Sequence, residues 1–321
     1  MKDLRKFRIS QEVRDAHADV WVRPDDFILP FFIVEGENQH QKINTLPGVY
    51  RFSQDVLLEE VKRVMALGIN KVLLFGVVDQ SLKDEFGKEA WNPESLVCRT
   101  VRLLKSRFPG LTVMTDVCLC EYTSHGHCGL LRDRDVDNNS TLPLLAGIAL
   151  SHARAGADFV APSAMMDGQV EAIRKALDAA GLNTHIMAYS AKYSSSFYGP
   201  FRDAAGSAPS FGDRKTYQMD YRAKDQGLWE IQADIEEGAD WVMVKPAQTY
   251  LDIISRAYQK YPDVPIAAYQ VSGEYAMLKM AAQQGLVDEH QAFKESITAI
   301  KRAGARYIIS YYAADYIENG L

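Results

Sequence analysis

The sequence predicts an α/β protein, a (β/α)8 TIM barrel preceded by an N-terminal arm. Eight short apolar runs rich in β-forming residues recur along the 321 residues, as in parallel strands that are covered on both faces. Amphipathic stretches of helical length lie between most of these runs. A glycine-containing segment also recurs four times, where a helix should end and a strand should begin.

The predicted elements alternate along the chain. The predicted strands are Phe27–Val34, Lys71–Val77, Thr112–Leu119, Phe159–Ala164, His185–Lys192, Trp241–Ala247, Ile266–Ser272 and Tyr307–Ala313. The clearest predicted helices are Gln54–Leu67, Pro93–Phe108, Leu142–Ala155, Gln169–Ala180 and His290–Ala303. The four glycine segments begin at Ala66, Ala155, Glu237 and Ala303. Eight strand–helix units in one chain favour a closed barrel over an open doubly wound sheet.

Residues 26–321 are predicted to form the catalytic barrel, and residues 1–25 to form the arm. The arm sequence is mostly polar and charged, so it is interpreted either as a disordered leader or as a segment that packs on a neighbouring subunit. Tyr198–Arg222 is a long segment rich in Ser, Gly, Pro and Arg. Loops of this length in compact domains are often lids or binding loops.

Composition narrows the class of function. The net charge of −6 argues against a nucleic-acid partner, because phosphate binding needs a basic surface. The sequence contains no signal-peptide pattern and no apolar run of membrane-spanning length. Three of the four cysteines fall within eleven positions, which is unlike a secreted disulfide framework. We therefore expect a cytoplasmic protein.

Two lysines occupy matching places in this pattern. Lys192 and Lys245 each end an apolar run, in Ala-Tyr-Ser-Ala-Lys-Tyr and Trp-Val-Met-Val-Lys-Pro. Catalytic groups of α/β barrels gather at the C-terminal strand ends. Burial lowers the pKa of an amine, and a neutral amine attacks a carbonyl to form a Schiff base. The pair predicts carbonyl–amine chemistry on two substrate molecules.

Further reactive side chains close other predicted strands. For each one alone, the alternative interpretation is an ordinary strand-end residue with a satisfied hydrogen bond. Their accumulation at one end of different strands favours an active site. They are Asp116, Cys118 and Cys120 at the third strand, Ser163 at the fourth, Ser272 at the seventh and Tyr311 at the eighth.

Cys118, Cys120 and Cys128 have the spacing C-x-C-x7-C, around a loop that contains His125 and His127. Three thiolates and one open position make the tetrahedral arrangement of a catalytic zinc site. Either histidine could replace the water ligand or support the metal ligands. The alternative is three reduced thiols without a metal. The fourth cysteine lies in a predicted helix and is interpreted as a core residue.

Charged residues near the lysines allow two interpretations. Arg202 and Arg214 lie in the long segment and can each form bidentate contacts with a carboxylate, although surface arginines are usually solvated. Glu230 belongs to an acidic helix face whose default is solvated surface. A carboxylate there could also hold magnesium together with waters.

Four motifs in order resemble the porphobilinogen synthase family, also called δ-aminolaevulinic acid dehydratases, and the similarity runs from about Phe27 to the C-terminus. The motifs are residues 116–129 (DVCLCEYTSHGHCG), 190–204 (SAKYSSSFYGPFRDA), 212–219 (GDRKTYQM) and 243–247 (MVKPA). The resemblance implies a lyase of tetrapyrrole biosynthesis, which serves haem and chlorophyll. Such an enzyme condenses two 5-aminolaevulinate molecules to porphobilinogen with loss of two waters.

The resemblance also implies roles for individual residues. Lys245 would hold the P-side substrate as a Schiff base, Lys192 would hold or activate the A-side substrate, and Asp116 would take part in proton transfer or orient the site. Implied substrate contacts are Arg202, Arg214 and Gln218 on the A side, and Ser272 and Tyr311 at the P-side carboxylate. Ser163 is a further implied substrate contact. Cys118, Cys120 and Cys128 match zinc ligands, and Glu230 matches an allosteric magnesium ligand.

Family members are typically homo-octamers whose N-terminal arm wraps a neighbour, and residues 1–25 fit such an arm by length. One departure is Ala164, which follows Ser163 where the family commonly has aspartate. Two other classes compete with this interpretation: a one-lysine aldolase on the same barrel, and a non-catalytic metal-binding regulatory barrel. A zinc hydrolase is disfavoured because three soft thiolates damp the acidity of the metal.

Overall fold

Eight parallel strands close into a barrel in the computed structural model, which describes residues 2–320. Each strand pairs with the strands that precede and follow it in the sequence, and the eighth pairs with the first through Phe27 and Ile308. Helices cover the outside. The predicted TIM barrel is confirmed, and its C-terminal strand ends are the expected place for a site.

The strands β1 to β8 are Phe27–Ile33, Lys71–Gly76, Thr112–Val117, Phe159–Pro162, His185–Lys192, Trp241–Lys245, Ile266–Tyr269 and Tyr307–Ile309. The covering helices α1 to α8 are Gln54–Ala66, Leu96–Arg107, Asn138–Ala155, Gln169–Ala179, Gln226–Glu236, Leu251–Lys260, Ser272–Gln283 and Glu289–Ala303. A last helix, α9, spans Ala313–Glu318. The strands are almost wholly buried, which explains why the sequence shows continuous apolar runs instead of alternation.

The glycine segments end helices as predicted. Gly68, Gly156, Gly238 and Gly304 have φ angles of 86°, 104°, 103° and 120°. This left-handed region costs a side chain energy but costs glycine little. Each glycine therefore stops its helix and turns the chain into the next strand.

Several predicted boundaries were wrong. Strand β8 ends at Ile309, four residues before its predicted end, so Tyr311 follows the strand and does not close it. Two others differ because polar caps decide where helices begin. Helix α3 starts at Asn138, four residues earlier than predicted, since the Asp137 carboxylate accepts a hydrogen bond from Ser140 N at 2.8 Å. Ser272 does not close β7 but is the first residue of α7. The Glu274 carboxylate accepts a hydrogen bond from Val271 N at 2.9 Å and so caps that helix start.

The N-terminal segment contains regular structure but little buried surface. A 3-10 turn spans Arg5–Phe7 and a helix spans Gln11–Ala16, and neither contains a buried residue. Between β1 and α1, the hairpin strands His40–Lys42 and Tyr50–Phe52 extend the sheet beside β1.

The Tyr198–Arg222 segment is more ordered than an irregular surface loop. It contains the short helix Gly199–Ala204, and its residues Ser207, Arg214 and Gln218 are buried. The segment folds back over the C-terminal end of the barrel. Within residues 2–320, no helix is long and apolar enough to cross a membrane.

Candidate active site

Lys192 and Lys245 are direct register partners in the neighbouring strands β5 and β6. The pairing depends on a β-bulge. Val242 pairs with Ala188 and Val244 with Ala191, so two residues of β5 oppose one residue of β6. If regular pairing continued from Val242 and Ala188 through the same sequence, Lys192 would lie one position beyond Lys245. The bulge brings both amines to the same level at the C-terminal end of the barrel.

Lys245 is enclosed by four aromatic rings. Its Nζ lies 4.3 Å from the ring centre of Tyr269, 4.9 Å from Tyr189, 5.1 Å from Phe201 and 5.5 Å from Tyr198. Burial, followed by the charge of Lys192, lowers the pKa of Lys245 to about 7. A substantial fraction of this amine is therefore neutral near neutral pH.

A short polar chain links Lys192 to β3 and β4. Its Nζ donates a hydrogen bond to the Ser163 carbonyl oxygen. The Ser163 hydroxyl donates to Asp116 Oδ2 at 3.2 Å, while Asp116 Oδ1 has no hydrogen-bond partner among the described residues. Burial, followed by the nearby Glu121, raises the pKa of Asp116 to about 7. The two predicted residues Ser163 and Asp116 thus meet beside the second amine.

The three predicted cysteines meet directly after β3. The sulfurs of Cys118, Cys120 and Cys128 all lie within 4.8 Å of one another, and Cys118 Sγ is 3.3 Å from Cys120 Sγ. Three thiolates around zinc stand roughly 3.8 Å apart, given Zn–S bonds of ~2.3 Å and tetrahedral angles. The donor set therefore fits a zinc ion. All three thiols are buried and reduced.

The three thiols do not have the same pKa. Hydrogen bonds from Cys118 and Cys120 hold the pKa of Cys128 well below its ordinary value. Glu121 adds a carboxylate to the cluster, with Oε2 3.1 Å from Cys120 Sγ. Asp116, Cys118 and Glu121 form a second group of donor atoms within 4.8 Å. The chain therefore has a mixed cysteine and carboxylate cluster that can hold a metal ion.

The two histidines of the cysteine loop are engaged elsewhere. His127 Nδ1 lies 3.2 Å from Tyr217 Oη, and its Nε2 lies 3.1 Å from the Phe211 carbonyl oxygen. His125 Nδ1 accepts from His127 N at 3.1 Å. The interpretation of either histidine as a metal ligand was wrong, because their nitrogens hold the loop together.

The two arginines of the long segment differ in their contacts. Arg214 is 5% exposed, and its Nη2 donates to the carbonyl oxygens of Gly126 at 2.9 Å and Ser207 at 2.6 Å. The solvated alternative was therefore wrong for this residue. Arg202 is half-buried, and its Nε has no hydrogen-bond partner among the described residues. The buried Gln218 amide likewise has no partner there.

These groups line a small cavity of about 20 Å³. Its wall contains Phe75, Asp116, Cys120, Glu121, Ser163, Lys192, Tyr198, Phe201, Arg202, Arg214 and Lys245. Sulfur, carboxylate, guanidinium and amine groups are therefore presented to one enclosed volume. Larger pockets lie elsewhere, but their walls contain neither of the two lysines.

Ser272 and Tyr311 lie behind the rings around Lys245 and not on the cavity wall. Ser272 Oγ accepts from Phe201 N at 2.9 Å and donates to the Phe197 carbonyl oxygen at 3.2 Å. Tyr311 Oη lies 3.1 Å from Tyr269 Oη. Each of these two predicted residues therefore contacts a residue whose aromatic ring lies beside the Lys245 amine.

Glu230 lies outside the barrel, away from the lysines. It lines a pocket of about 220 Å³ with Asp167, Ser190, Asp234 and other residues. Asp234 is 9% exposed, and burial raises its pKa to about 7. Asp234 lies on the same acidic helix face as Glu230, which was interpreted as solvated surface. That interpretation was wrong for Asp234, because this side of α5 packs on β5.

Sequence reasoning missed the aromatic residues around Lys245 and the buried Glu121 and Glu274. Tyr189, Tyr198, Phe201 and Tyr269 come from three separate parts of the chain. The sequence shows aromatic residues near the lysines and near the strand ends, but aromatic residues are also common in protein cores. Their positions in the sequence therefore did not identify them as site residues.

Taken together, the barrel and its two neighbouring buried amines are the arrangement of an α/β-barrel enzyme that is suited to carbonyl chemistry at lysine. The thiol cluster beside the amines adds a metal-binding capacity to this class. The arrangement can present one neutral amine, a second amine and a metal ligand set to the same enclosed volume.

Comparison with known proteins identifies the family within this class. The family model of delta-aminolevulinic acid dehydratase matches residues 1–319. An enzyme of that name from Bacillus subtilis (strain 168) is 47% identical over 312 residues, covering 97% of this chain and 95% of the relative. One from Staphylococcus aureus (strain Mu50 / ATCC 700699) is 48% identical over 314 residues, covering 97% and 96%.

A solved structure supports the same assignment. The delta-aminolevulinic acid dehydratase (porphobilinogen synthase) of Toxoplasma gondii ME49, in complex with the reaction product porphobilinogen, superposes with a TM-score of 0.96. It is 41% identical, and the match covers 99% of this chain and 91% of that chain. This chain belongs to the delta-aminolevulinic acid dehydratase family. The predicted family and the predicted hydro-lyase are confirmed.

Proposed function

We propose that this chain condenses two 5-aminolaevulinate molecules to porphobilinogen, with loss of two waters, through Lys192 and Lys245. The observation that carries the proposal is the direct pairing of the two lysines at the ends of β5 and β6. A condensation of two amino-ketones needs two neighbouring places for carbonyl–amine chemistry, whereas an aldolase with one lysine needs one.

Lys245 is proposed to form the P-side Schiff base. Its lowered pKa supplies the neutral amine that attacks the keto carbon. The iminium ion that results is a cation, and four aromatic rings around the amine favour a cation by their quadrupoles. Ser272 and Tyr311 are proposed to bind the P-side carboxylate, since each adjoins a ring that contacts Lys245.

Lys192 is proposed to hold or activate the A-side substrate. The cavity wall beside it includes Arg202, Arg214 and Ser163. The guanidinium groups suit a carboxylate, and we propose that Gln218 joins them because its buried amide has no other partner among the described residues. Asp116 is proposed to move a proton or to orient the site, since it has a raised pKa and one free oxygen.

Cys118, Cys120 and Cys128 are proposed to hold zinc, which when bound supplies Lewis-acid polarisation of the A-side carbonyl or a fixed position for its amine. The sulfur spacing supports this choice of metal. Arg214 offsets the negative charge of the thiolates, since it lies close enough for Cys128 and Cys120 to raise its pKa. Asp116 and Glu121 place oxygen atoms beside the same cluster.

Glu230 is proposed to bind an allosteric magnesium ion. Magnesium commonly takes one or two carboxylates and keeps several waters. The pocket beside Glu230 has room for such waters and contains Asp167 and Asp234. Burial and then Asp167 raise the pKa of Glu230, so a cation there would relieve repulsion among these acids.

We further propose a cytoplasmic homo-octamer, in which residues 1–25 form an arm on a neighbouring subunit and residues 26–321 form the catalytic barrel. The arm exposes Leu4, Phe7, Ile9 and Trp21, which are 54%, 41%, 72% and 56% exposed. So many exposed apolar side chains on a short segment favour a protein partner.

The proposal is tested by trapping. The protein is incubated with labelled 5-aminolaevulinate, reduced with borohydride, and mapped by peptide mass, while porphobilinogen is assayed with Ehrlich's reagent. We expect label on Lys245 or Lys192 and a pyrrole product, and Lys192→Ala should abolish turnover. Label on neither lysine would contradict the covalent mechanism.

The same experiment separates the two competing classes. Full turnover by Lys192→Ala, with label on Lys245 alone, would favour a one-lysine aldolase. Metal binding without any pyrrole product would favour a regulatory barrel.

A further inference from the structure

Three tyrosines surround the Lys245 amine, but their hydroxyl groups have different surroundings. Tyr198 Oη donates to the Tyr193 carbonyl oxygen at 2.6 Å. Tyr269 Oη lies 3.1 Å from Tyr311 Oη. Tyr189 is fully buried, yet its hydroxyl has no hydrogen-bond partner among residues 2–320. Leaving such a group unpaired is energetically unfavourable, so this hydroxyl requires an explanation.

The Tyr189 ring lies close to both amines. Its ring centre is 4.9 Å from Lys245 Nζ and 5.6 Å from Lys192 Nζ. Tyr189 and Lys192 are three residues apart in β5, and the bulge between Ala188 and Ala191 allows both side chains to lie on the same face of the strand. The hydroxyl of Tyr189 is therefore carried by a ring that adjoins the lysine pair.

Tyr189 also keeps its proton. Burial, and then the negative charge of Asp116, hold its pKa well above the ordinary value of 10.0. Asp116 Oδ1 is the other buried oxygen beside the lysines without a partner in the described residues. A phenol that stays protonated in a site of low polarity is a strong hydrogen-bond donor towards an oxygen that gains negative charge.

We propose that the Tyr189 hydroxyl donates a hydrogen bond to the keto oxygen of the substrate that condenses with Lys245. This inference rests on the proposed function. As the lone pair of Lys245 Nζ forms the C–N bond, the carbonyl π electrons move onto the oxygen. One N–H proton follows to that oxygen and gives the neutral carbinolamine. Tyr189 shares its proton with the oxygen during this step and retains it.

The other hydroxyl and amine groups around Lys245 already contact protein groups. Tyr189 is therefore the donor that is left for the substrate keto oxygen. The hydroxyls of Tyr198 and Tyr269 point to other protein groups. Ser272 donates to Phe197, and Lys192 donates to Ser163. Tyr189 is the one hydroxyl of the tyrosines contacting Lys245 that lacks a partner within the described chain.

The test removes one oxygen atom. Tyr189→Phe retains the ring beside Lys245 and loses only the donor. We expect rapid-quench borohydride trapping of labelled 5-aminolaevulinate on Lys245 to slow by about 10- to 100-fold, somewhat less than the ~10²–10³ loss for an oxyanion-hole donor. The midpoint of thermal unfolding should not fall, because the lost hydroxyl has no protein partner.

Tyr193→Phe is the matched control. Tyr193 is also buried in the same chain segment, and its hydroxyl also has no partner among the described residues, but its ring stacks on Tyr250 at 4.3 Å and not beside the lysine amines. Its trapping rate should equal that of the unmodified protein.

Each outcome is decisive. Trapping by Tyr189→Phe at the unmodified rate would overturn the inference, and so would equal slowing in both variants or a lowered unfolding midpoint in Tyr189→Phe alone. Slowing confined to Tyr189→Phe, without loss of stability, supports it. An unmodified protein that acquires no label on Lys245 would refute the proposed P-side role itself, which separates the two failures.

Discussion

The Lys245 amine is buried beside the positive charge of Lys192. Its pKa falls from 10.5 to about 7, first because of burial and then because of the charge of Lys192. The nucleophile is the neutral form, so Schiff-base formation should rise with pH and be half-maximal at about 7. Borohydride trapping at a series of pH values measures this midpoint.

Lys192→Met should move that midpoint upwards, because it removes a positive charge that disfavours protonation of Lys245. The surface variant Lys88→Met is the control and should leave the midpoint in place. A Lys192→Met midpoint equal to or below that of the unmodified protein would contradict the electrostatic account.

The three clustered thiols should determine metal affinity. Cys120→Ser replaces a soft ligand with a weak one, so its zinc affinity should drop at least about tenfold. Cys98→Ala is the matched control, because Cys98 is a buried thiol in α2 that lies outside the cluster. Competition with a chromogenic chelator, in the absence of substrate, measures both. Equal affinity of Cys120→Ser and Cys98→Ala would argue against zinc at this cluster.

At the scale of secondary-structure elements, Glu274 joins two segments that carry site residues. Its carboxylate accepts hydrogen bonds from Gln248 N at 2.8 Å, after β6, and from Val271 N at 2.9 Å, at the start of α7. Burial raises its pKa from 4.5 to about 7 despite these bonds. Between these values the folded chain binds more protons than the unfolded chain, so this group makes stability fall as pH rises.

Glu274→Gln should remove that dependence. Between pH 5 and pH 8, the free energy of unfolding of the variant should increase relative to that of the unmodified protein by roughly 1–3 kcal/mol. Urea denaturation at both pH values measures the change. A shift in the opposite direction would mean that the backbone amides stabilise the carboxylate more than burial destabilises it.

The elements also show how far sequence reasoning extends. All eight strands could be predicted to within a few residues, because strands buried on both faces leave continuous apolar runs. The same continuity hides the bulge in β5, since no alternation marks an inserted residue. The start of α7 at Ser272 depends on Glu274, whose capping contact is visible only once the chain is folded.

At the scale of the whole molecule, the candidate site combines residues that the sequence distributes over six strands and one long segment. The lysines, thiols and Asp116 could be predicted because strand ends converge in a barrel. The burial of Arg214 could not, because it depends on the carbonyl groups of Gly126 and Ser207. The residues around Lys245 could not be predicted for the same reason, since each contact joins separate parts of the chain.

The arm should govern assembly. We expect the full chain to form an octamer and a chain without residues 1–25 to form smaller species. The reason is that the apolar side chains of the arm would no longer be present to pack on a neighbouring subunit. Phe7→Ser with Ile9→Ser should have the same effect, whereas Lys6→Ser should not. Native mass spectrometry measures the outcome, and an unchanged octamer without the arm would refute the proposal.

The inserted residue in β5 determines which part of the strand must be kept for the two amines to align. Strand pairing advances in whole residues, so no intermediate alignment of the two amines exists. Deleting one residue between Ala188 and Ala191 would turn the bulge into a regular ladder and leave Lys192 opposite Lys245, because the pairing of Ala191 with Val244 is unchanged. Among homologues that retain this chemistry, the register beyond the bulge should therefore be more constant than the length of the segment within it.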